Sequence, residues 1–304
     1  MSYTAIAREK AAVVERTGLL GEGEAGRHLV RRFFIERFGT QEQRGRWLPL
    51  LAAVAISEPR VGAHPKLLTT HAEADTGGWR IHGEKAWVTN GPLADVFIVL
   101  AITAIEAGRK RYSALFVPRD TPDLAIDEAP HYRALAPSRH CGLKLDGCRV
   151  PHSALLGEPG AAYETMALPF RDVEDAVGTF GHLGAFRFAM RRLAVCAEGD
   201  AATLSLGGLA ALVAVFAAAA GAVIAALDAG ELPRAASALV GLRVLAADML
   251  TRARDHRDAF GPAADAALDR LFADLDTSLS VARGPRQARQ VRLGQAVRMA
   301  GQPP

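Results

Sequence analysis

The segment HGEKAWVTNG, residues 82–91, is the stretch on which the interpretation of this sequence depends. It places Trp87 between the turn-like GEK of residues 83–85 and the polar TNG of residues 89–91. A strand usually buries a tryptophan, because the ring removes a large apolar area from water. Both flanks of this tryptophan are polar, so the sequence raises the question of what the segment holds.

Composition indicates an ordinary soluble chain long enough to bury a large core. Of 304 residues, 50% are hydrophobic and 23% are charged, and the net charge is +3. This charge is too small to indicate nucleic-acid binding by itself. The three cysteines, Cys141, Cys148 and Cys196, have no metal-ligand spacing and form no disulfide framework. The charged N-terminal segment lacks an apolar core, so we expect no signal peptide and a cytoplasmic protein.

Residues 201–227 carry no charge and are long enough to cross a bilayer. They are rich in alanine, however, and are therefore only weakly lipophilic. Alanine also allows close helix packing inside a bundle. We therefore expect a buried bundle helix here and no membrane association.

The pattern along the chain predicts an α+β protein in three parts. Residues 1–52 have helical spacing, with glycine and proline as breaks, and form a short N-terminal helical domain. Residues 53–160 contain seven short candidate strands separated by turn residues, which predicts a small antiparallel β-barrel or sandwich. Residues 161–304 return to helical spacing and predict a C-terminal helical bundle.

Four segments of the predicted β domain and its edge occur in an order that points to one family. They are ISEPRVGA (56–63), GEKAWVTNG (83–91), LFVPRDTP (115–122) and LDGCRVPHSALLGEPG (145–160). Together they resemble the acyl-CoA dehydrogenase family. The resemblance extends over roughly residues 35–190.

What the resemblance implies is a β domain that contacts the flavin ring of FAD. Trp87 would pack on the ring, Val88 would lie in the same segment, and Thr89 would hydrogen-bond the polar edge of the flavin. Ile56 and Ser57 would supply backbone and hydroxyl contacts. A flavin has an aromatic face and a rim of donors and acceptors, so a tryptophan beside a threonine suits both. The alternative is a hairpin tryptophan buried in the core.

The family's reaction is the α,β-dehydrogenation of an acyl thioester, in which a carboxylate removes the α-proton. In most members this base is a glutamate near the C-terminus, but this chain has no glutamate after Glu231. A minority place it on the first long helix of the C-terminal domain, in an Asp-x-Glu-Arg pattern with a glycine ten residues later. Glu174 fits that position, because Asp172 precedes it by two residues and Gly184 follows it by ten. The resemblance places Asp172 at the substrate.

The position after Glu174 departs from the family, because Asp175 stands where the family has arginine. A second carboxylate should raise the pKa of Glu174 through like-charge repulsion. Glu174 is thus either the catalytic base or an exposed helix carboxylate among charged neighbours.

Other departures leave a non-enzymatic interpretation open. The chain lacks the Arg-x-x-Phe-Gly motif that reaches the FAD of a neighbouring subunit in this family, and its N-terminal helical part is short. The resemblance implies an acyl-CoA or acyl-carrier-protein thioester substrate, an electron-transfer flavoprotein or similar acceptor, and a homo- or hetero-oligomer with a related subunit. The alternative is a catalytically degenerate subunit of a heteromeric acyl-CoA dehydrogenase, or a non-catalytic acyl-CoA- or flavin-binding homologue.

Five arginines near the C-terminus form the remaining feature of note. Arg283, Arg286, Arg289 and Arg292 are spaced three residues apart, and Arg298 follows. A solvated helix face or a subunit contact is the expected role, with binding of CoA phosphates or of nucleic acid as the sharper alternative. Nucleic acid is not an expected partner. The histidines His82, His131, His140 and His152 lack metal-ligand spacing, so no metal site is predicted.

Overall fold

The computed structural model describes residues 1–129, 134–262 and 264–300. The predicted α+β class is confirmed by a central sheet and a helical C-terminal part. Two compact units divide the chain: the first contains Met1 and Glu24–Asp172, and the second contains Ser2–Gly23 and Val173–Pro304.

The two units group the chain differently from the boundaries predicted at residues 52 and 160, although secondary structure does change near both positions. The first helix, α1 (Tyr3–Thr17), belongs to the same unit as the C-terminal helices. The carboxylate of Asp228 explains this grouping, since it accepts hydrogen bonds from the backbone N–H of Tyr3 at 2.8 Å and of Thr4 at 2.9 Å. A carboxylate at a helix N-terminus satisfies otherwise unpaired N–H groups.

The first unit starts with short helical segments that lead into a sheet. These are α2 (Ala25–Val30), a π-helical turn (Arg31–Glu36) and α3 (Gln41–Trp47). A capping box begins α3, with reciprocal hydrogen bonds between Thr40 and Gln43.

The sheet of the first unit has eight strands in the described residues. They are β1 (Ala52–Ala55), β2 (His71–Asp75), β3 (Gly78–Thr89), β4 (Val96–Glu106), β5 (Arg109–Pro118), β6 (Leu124–Asp127), β7 (His140–Val150) and β8 (Leu155–Leu156). Their order is β6-β7-β3-β2-β4-β5-β8, with β1 also paired to β4. The strand β3 is a single element of twelve residues and carries Trp87 near its end.

The sheet is mixed, whereas the sequence pattern predicted an antiparallel one. Most neighbours are antiparallel, but β1 runs parallel to β4 with Ala52 opposite Val96. A parallel pair requires a long connection, and the segment containing β2 and β3 provides it. The first six residues of β4 are all buried, so both faces of the strand are covered there. This explains why its sequence is continuously apolar and does not alternate between apolar and polar residues.

The second unit is helical in its described part. Besides α1 it contains α4 (Leu168–Ala194) from residue 173 onward, α5 (Gly199–Asp228), α6 (Ala236–Phe260), α7 (Ala266–Ser280) and α8 (Arg283–Ala300). Gly184 of α4 packs closely against α1, because a Cβ there would lie 2.3 Å from the carbonyl oxygen of Ala11. Close packing within this unit therefore explains why a glycine stands ten residues after Glu174.

Helix α5 departs from the expectation of a buried bundle helix. Within the described residues it is the one helix long and apolar enough to span a bilayer. Its most apolar stretch of 18 residues has a mean hydropathy of 2.5, and only 28% of that stretch is buried. Phe216, Ala220 and Val223 face the interior, whereas Leu204 and Val215 are exposed. A single helix of this kind is weak evidence for a membrane span, since core helices meet the same criterion of length and composition.

Candidate functional site

Trp87 lies on the surface of the first unit, so the alternative of a buried core tryptophan is wrong. The residue is 49% exposed, and its backbone has a φ of 57°. The pairing of β3 with β7 shifts register between Lys85 and Val88, as in a β-bulge. This left-handed conformation is unfavourable for a bulky residue and is typical of functional sites. The bulge breaks the alternation of the strand and turns the ring outward, where it meets the ring of His140 at 6.0 Å.

The neighbours of Trp87 along β3 face opposite directions. Thr89 is exposed, as a hydrogen-bonding role requires. Val88 is fully buried, so its side chain faces the core and only its backbone is available to a ligand. The predicted contact through Val88 is therefore restricted to main-chain atoms.

The fold brings the two predicted flavin-binding segments together. The backbone N–H of Ala86 donates to the carbonyl of Ser57 at 2.8 Å. The ammonium of Lys85 donates to the carbonyl of Ile56 at 3.2 Å. Ile56 and Ser57 are both half-buried, so they lie beside the strand that carries Trp87.

A buried ion pair between Glu58 and Lys85 connects the same two segments. The carboxylate and ammonium lie 3.1 Å apart, and the side chains are 4% and 0% exposed. The carboxylate also accepts hydrogen bonds from the backbone N–H and hydroxyl of Thr69 and the backbone N–H of Thr70, at 2.8–2.9 Å. A buried charge is stable only with such partners, so the pair fixes both segments.

Electrostatics keeps this pair ionised at neutral pH. Burial acts to raise the pKa of Glu58, but Lys85 and the bonds from Thr70 and Thr69 outweigh it and lower that pKa to about 2. Burial lowers the pKa of Lys85 to about 8, against the attraction of Glu58. A carboxylate with a lowered folded-state pKa stabilises the fold above its unfolded pKa, and that contribution is lost as pH falls towards about 2.

The loop after Glu58 is strained at Arg60, which adopts a left-handed backbone conformation. Arg60 has a φ of 64° within a turn closed by two backbone hydrogen bonds of 3.0 Å between Glu58 and Gly62. A left-handed conformation costs an L-residue about 1–2 kcal/mol, which glycine avoids at a smaller entropic cost.

We therefore expect Arg60→Gly to raise the free energy of unfolding by up to about 1 kcal/mol, because the strain outweighs the added chain entropy. Urea unfolding of both proteins measures the difference. Arg60→Ala is the matched control, since it removes the same charge but keeps a Cβ. An equal gain in Arg60→Ala would show that charge, not backbone strain, is responsible.

Glu174 lies on α4 in the second unit and is exposed. The next residue, Asp175, is buried and is held by two arginines. Its carboxylate accepts two hydrogen bonds from Arg286 of α8, one of them from Nε at 3.3 Å, and lies 3.6 Å from Arg243 of α6. Asp172 is half-buried at the end of the first unit and has an interaction partner.

The predicted influence of Asp175 on Glu174 is confirmed. The pKa of Glu174 is raised to about 7, first by loss of hydration and then by Asp175, while Arg286 acts in the opposite direction. Glu174 still retains exposed surface, so its carboxylate stays accessible to water. A carboxylate with a raised pKa is a stronger base once ionised.

No group of three metal-binding side chains occurs in residues 1–129, 134–262 and 264–300. Cys141 and Cys148 are buried and Cys196 is half-buried, all three as free thiols. His131, one of the histidines considered from the sequence, lies outside the described residues.

The sheet region matches a known domain. The model of the acyl-CoA dehydrogenase middle domain matches residues 53–148. This segment is an acyl-CoA dehydrogenase middle domain. The resemblance predicted from the four segments is thereby confirmed, and the exposed Trp87, the strained Arg60 and the buried Glu58–Lys85 pair all lie within this domain.

A curated relative matches a longer stretch of this chain than the middle-domain model does. The mitochondrial isovaleryl-CoA dehydrogenase of Oryza sativa subsp. japonica is 33% identical over 156 residues, which are 49% of this chain and 38% of the rice protein. The match thus spans less than half of that relative.

Solved structures share the fold. A glutaryl-CoA dehydrogenase from Mycobacterium smegmatis in complex with FADH2 has a TM-score of 0.79 at 21% identity, covering 98% of this chain and 80% of its own. The prolyl acyl carrier protein oxidase AnaB has a TM-score of 0.76 at 18% identity, covering 95% and 79%. At these identities the likeness shows the fold.

The sequence patterns did not identify the pairing of Glu58 with Lys85 or the pairing of Asp175 with Arg243 and Arg286. Glu58, Lys85 and Asp175 each lie in or next to a segment already discussed, but the partner of each is distant along the chain. One signal was present: Lys85 stands directly before the apolar Ala86, in a strand where a buried ammonium needs a carboxylate.

Proposed function

We propose that this chain binds FAD against the Trp87 face of its middle domain and catalyses α,β-dehydrogenation of an acyl thioester. The observation that carries the proposal is Trp87 itself, which is 49% exposed on a left-handed backbone. The ring is large, aromatic and held outward at a strained position. Binding of a planar ligand explains this arrangement better than a role in stabilising the fold does.

The residues around Trp87 fit a flavin. The exposed hydroxyl of Thr89 offers hydrogen bonding to the polar edge of a ring stacked on Trp87. Ser57 is held beside β3 by the 2.8 Å bond between its carbonyl and Ala86, which leaves its hydroxyl as a further candidate contact. The buried pair of Glu58 and Lys85 fixes both segments, so the platform is ordered before a ligand arrives.

In the proposed reaction Glu174 acts as the base. Its carboxylate takes the α-proton of the acyl group, and the electrons of that C–H bond form the new double bond as hydride leaves the β-carbon. Bound FAD would supply the hydride acceptor. A pKa near 7 makes Glu174 a stronger base than an ordinary glutamate, at the expense of a smaller ionised fraction at neutral pH.

The relatives suggest the substrate class. The rice relative is named for a coenzyme A thioester and AnaB for an acyl carrier protein, so a thioester of either carrier is the proposed substrate. An electron-transfer flavoprotein or similar acceptor would reoxidise the flavin, in an oligomer with identical or related subunits. We place the reaction in the cytoplasm, where the three thiols stay reduced.

An absorption spectrum of the purified protein tests flavin binding most directly. We expect the bands of oxidised flavin, either as purified or after FAD is added. A colourless protein that also fails to quench the fluorescence of added FAD would contradict the proposal.

Trp87→Phe tests the role of the ring. Since Trp87 is half exposed, the substitution should change stability by less than about 0.5 kcal/mol while weakening flavin binding or shifting the flavin spectrum. A thermal melt and an FAD titration on the same preparation separate the two effects. A lower melting temperature with unchanged flavin binding would show that Trp87 serves packing instead.

The departure at Asp175 favours a second candidate function, a catalytically degenerate subunit or non-catalytic homologue. The family's arginine is absent there, and both Arg243 and Arg286 are engaged with Asp175. A protein that binds flavin but whose flavin is never bleached by a thioester would support this alternative. Bleaching by the isolated chain supports the enzyme.

A further inference from the structure

Two histidines lie directly opposite each other on neighbouring strands of the sheet. His71 of β2 pairs with His82 of β3, and their rings stack with centroids 5.6 Å apart and planes 20° apart. His71 is exposed and His82 is half-buried. Residues directly opposite in an antiparallel pair point to the same face of the sheet, with Cβ atoms about 4.5–5.5 Å apart. Both imidazoles can therefore reach one small ligand on that face.

The separation of the rings is close to that of two imidazoles on one metal ion. A histidine nitrogen lies about 2.0–2.1 Å from zinc, which puts the ring centroid about 3.2 Å from the ion. Two such rings at a tetrahedral angle have centroids about 5.3 Å apart. The observed distance is 5.6 Å. Only a turn of the rings out of their stacked planes, without movement of the strands, is needed to aim both at one ion.

One hydrogen bond sets the protonation of His71. Its Nδ1 lies 3.3 Å from the carbonyl oxygen of Thr69. A carbonyl oxygen only accepts, so Nδ1 carries the proton and Nε2 keeps the lone pair that a metal ion binds. Histidine ligands in metal sites are oriented by a bond of this kind from the other ring nitrogen.

The surroundings of His82 leave its ring free to turn. The nearby residue on β7 is Gly147, where a Cβ would lie 3.3 Å from Cε1 of the His82 ring, so a larger residue would restrict it. Among the described residues no group of three metal-binding side chains occurs. Water molecules would therefore complete the coordination of an ion held by the two imidazoles.

Exposed carboxylates outnumber cations around the pair. The positions two residues from the histidines along β2 and β3, and those opposite on β7, carry Glu73, Glu84 and Asp146 against Arg80 and Lys144. This face therefore attracts a divalent cation. The carboxylates also offer hydrogen bonding to the water molecules of its coordination shell.

We propose that His71 and His82 form a binding site for one divalent transition-metal ion such as zinc. Imidazole suits zinc and copper, whereas magnesium and calcium take oxygen ligands. The ion would join β2 to β3 next to the bonds that Thr69 and Thr70 make to Glu58, so binding stabilises the first unit. The inference does not depend on the flavin proposal, because neither histidine has a role in it.

Thermal unfolding of the full chain with added zinc chloride tests the site, with magnesium chloride as the hard-cation control. Zinc should raise the melting temperature until the site is saturated, and calorimetric titration should give one such site per chain. EDTA should reverse both effects. Absence of a saturable site for zinc would overturn the proposal. So would an equal response to magnesium, because it would place the ion on the carboxylates.

Substitutions locate the ion. His71→Gln and His82→Gln should each weaken zinc binding at least about tenfold, because each removes one of two nitrogen ligands. Neither position is fully buried, so both variants should fold. The matched control is His152→Gln, which removes another exposed histidine of the first unit, whose ring contacts Trp79. It should bind zinc within about twofold of the unchanged protein. Zinc binding that survives both test substitutions, or that falls equally in His152→Gln, would contradict the assignment.

Discussion

Replacing Glu174 with glutamine should slow the bleaching of bound flavin by an acyl thioester by at least about 100-fold. Glutamine keeps the size of the side chain and can still accept a hydrogen bond, but it cannot take the α-proton. Thioester affinity should change little, because the substitution removes a proton acceptor and not a binding surface. Anaerobic stopped-flow absorbance gives the bleaching rate, and its dependence on thioester concentration gives the affinity.

Two variants sharpen this experiment. Glu164→Gln changes another exposed glutamate, ten residues upstream, and should bleach at the unchanged rate. Asp175→Asn removes the second of the two causes that raise the pKa of Glu174, while burial still raises that pKa and Arg286 still lowers it. The rate should then rise at lower pH than in the unchanged protein, where the ionised base appears around pH 7.

The outcomes separate the two functions. Bleaching of Glu174→Gln at the unchanged rate would show that Glu174 is a surface carboxylate and that the base lies elsewhere. A protein that binds flavin but is never bleached by any thioester would favour the degenerate subunit. A shift of the pH profile by Asp175→Asn without a loss in Glu174→Gln would also contradict the assignment of the base.

The largest effect on stability is expected for Lys85→Met. The substitution fits the buried space but leaves the carboxylate of Glu58, whose side chain is 4% exposed, without its cation. Breaking a buried ion pair on one side typically destabilises a protein by about 3–5 kcal/mol. Urea unfolding at neutral pH should show this loss. Flavin binding should weaken as well, because Lys85 also fixes the carbonyl of Ile56.

The double variant Glu58→Gln with Lys85→Met is the informative control. It leaves no buried charge, so it should recover a large part of the stability lost in Lys85→Met alone. Lys144→Met, on an exposed position of β7, should change stability by less than about 0.5 kcal/mol. A loss in Lys85→Met no larger than in Lys144→Met would mean that the ion pair contributes little.

The sequence by itself determined the features that depend on neighbours along the chain. The run of strands between two helical parts follows from the change in hydrophobic period. The four ordered segments indicated the middle domain that residues 53–148 match. The repulsion of Glu174 by Asp175 could also be predicted, because adjacent carboxylates on one helix are close under any packing.

Only the tertiary structure decided which distant groups meet. The exposure of Trp87 depends on a bulge against β7, and alternation along the strand does not encode a bulge. Glu58 and Lys85 are 27 residues apart, Asp175 and Arg286 are 111 apart, and Asp228 holds the start of α1 across 225 residues. A buried charge is tolerable only where the fold supplies its partner, and a local pattern shows the charge but not the partner. The physical reason is that burial and pairing are fixed by the packing of whole elements, whereas helix and strand periods are fixed by the residues within them.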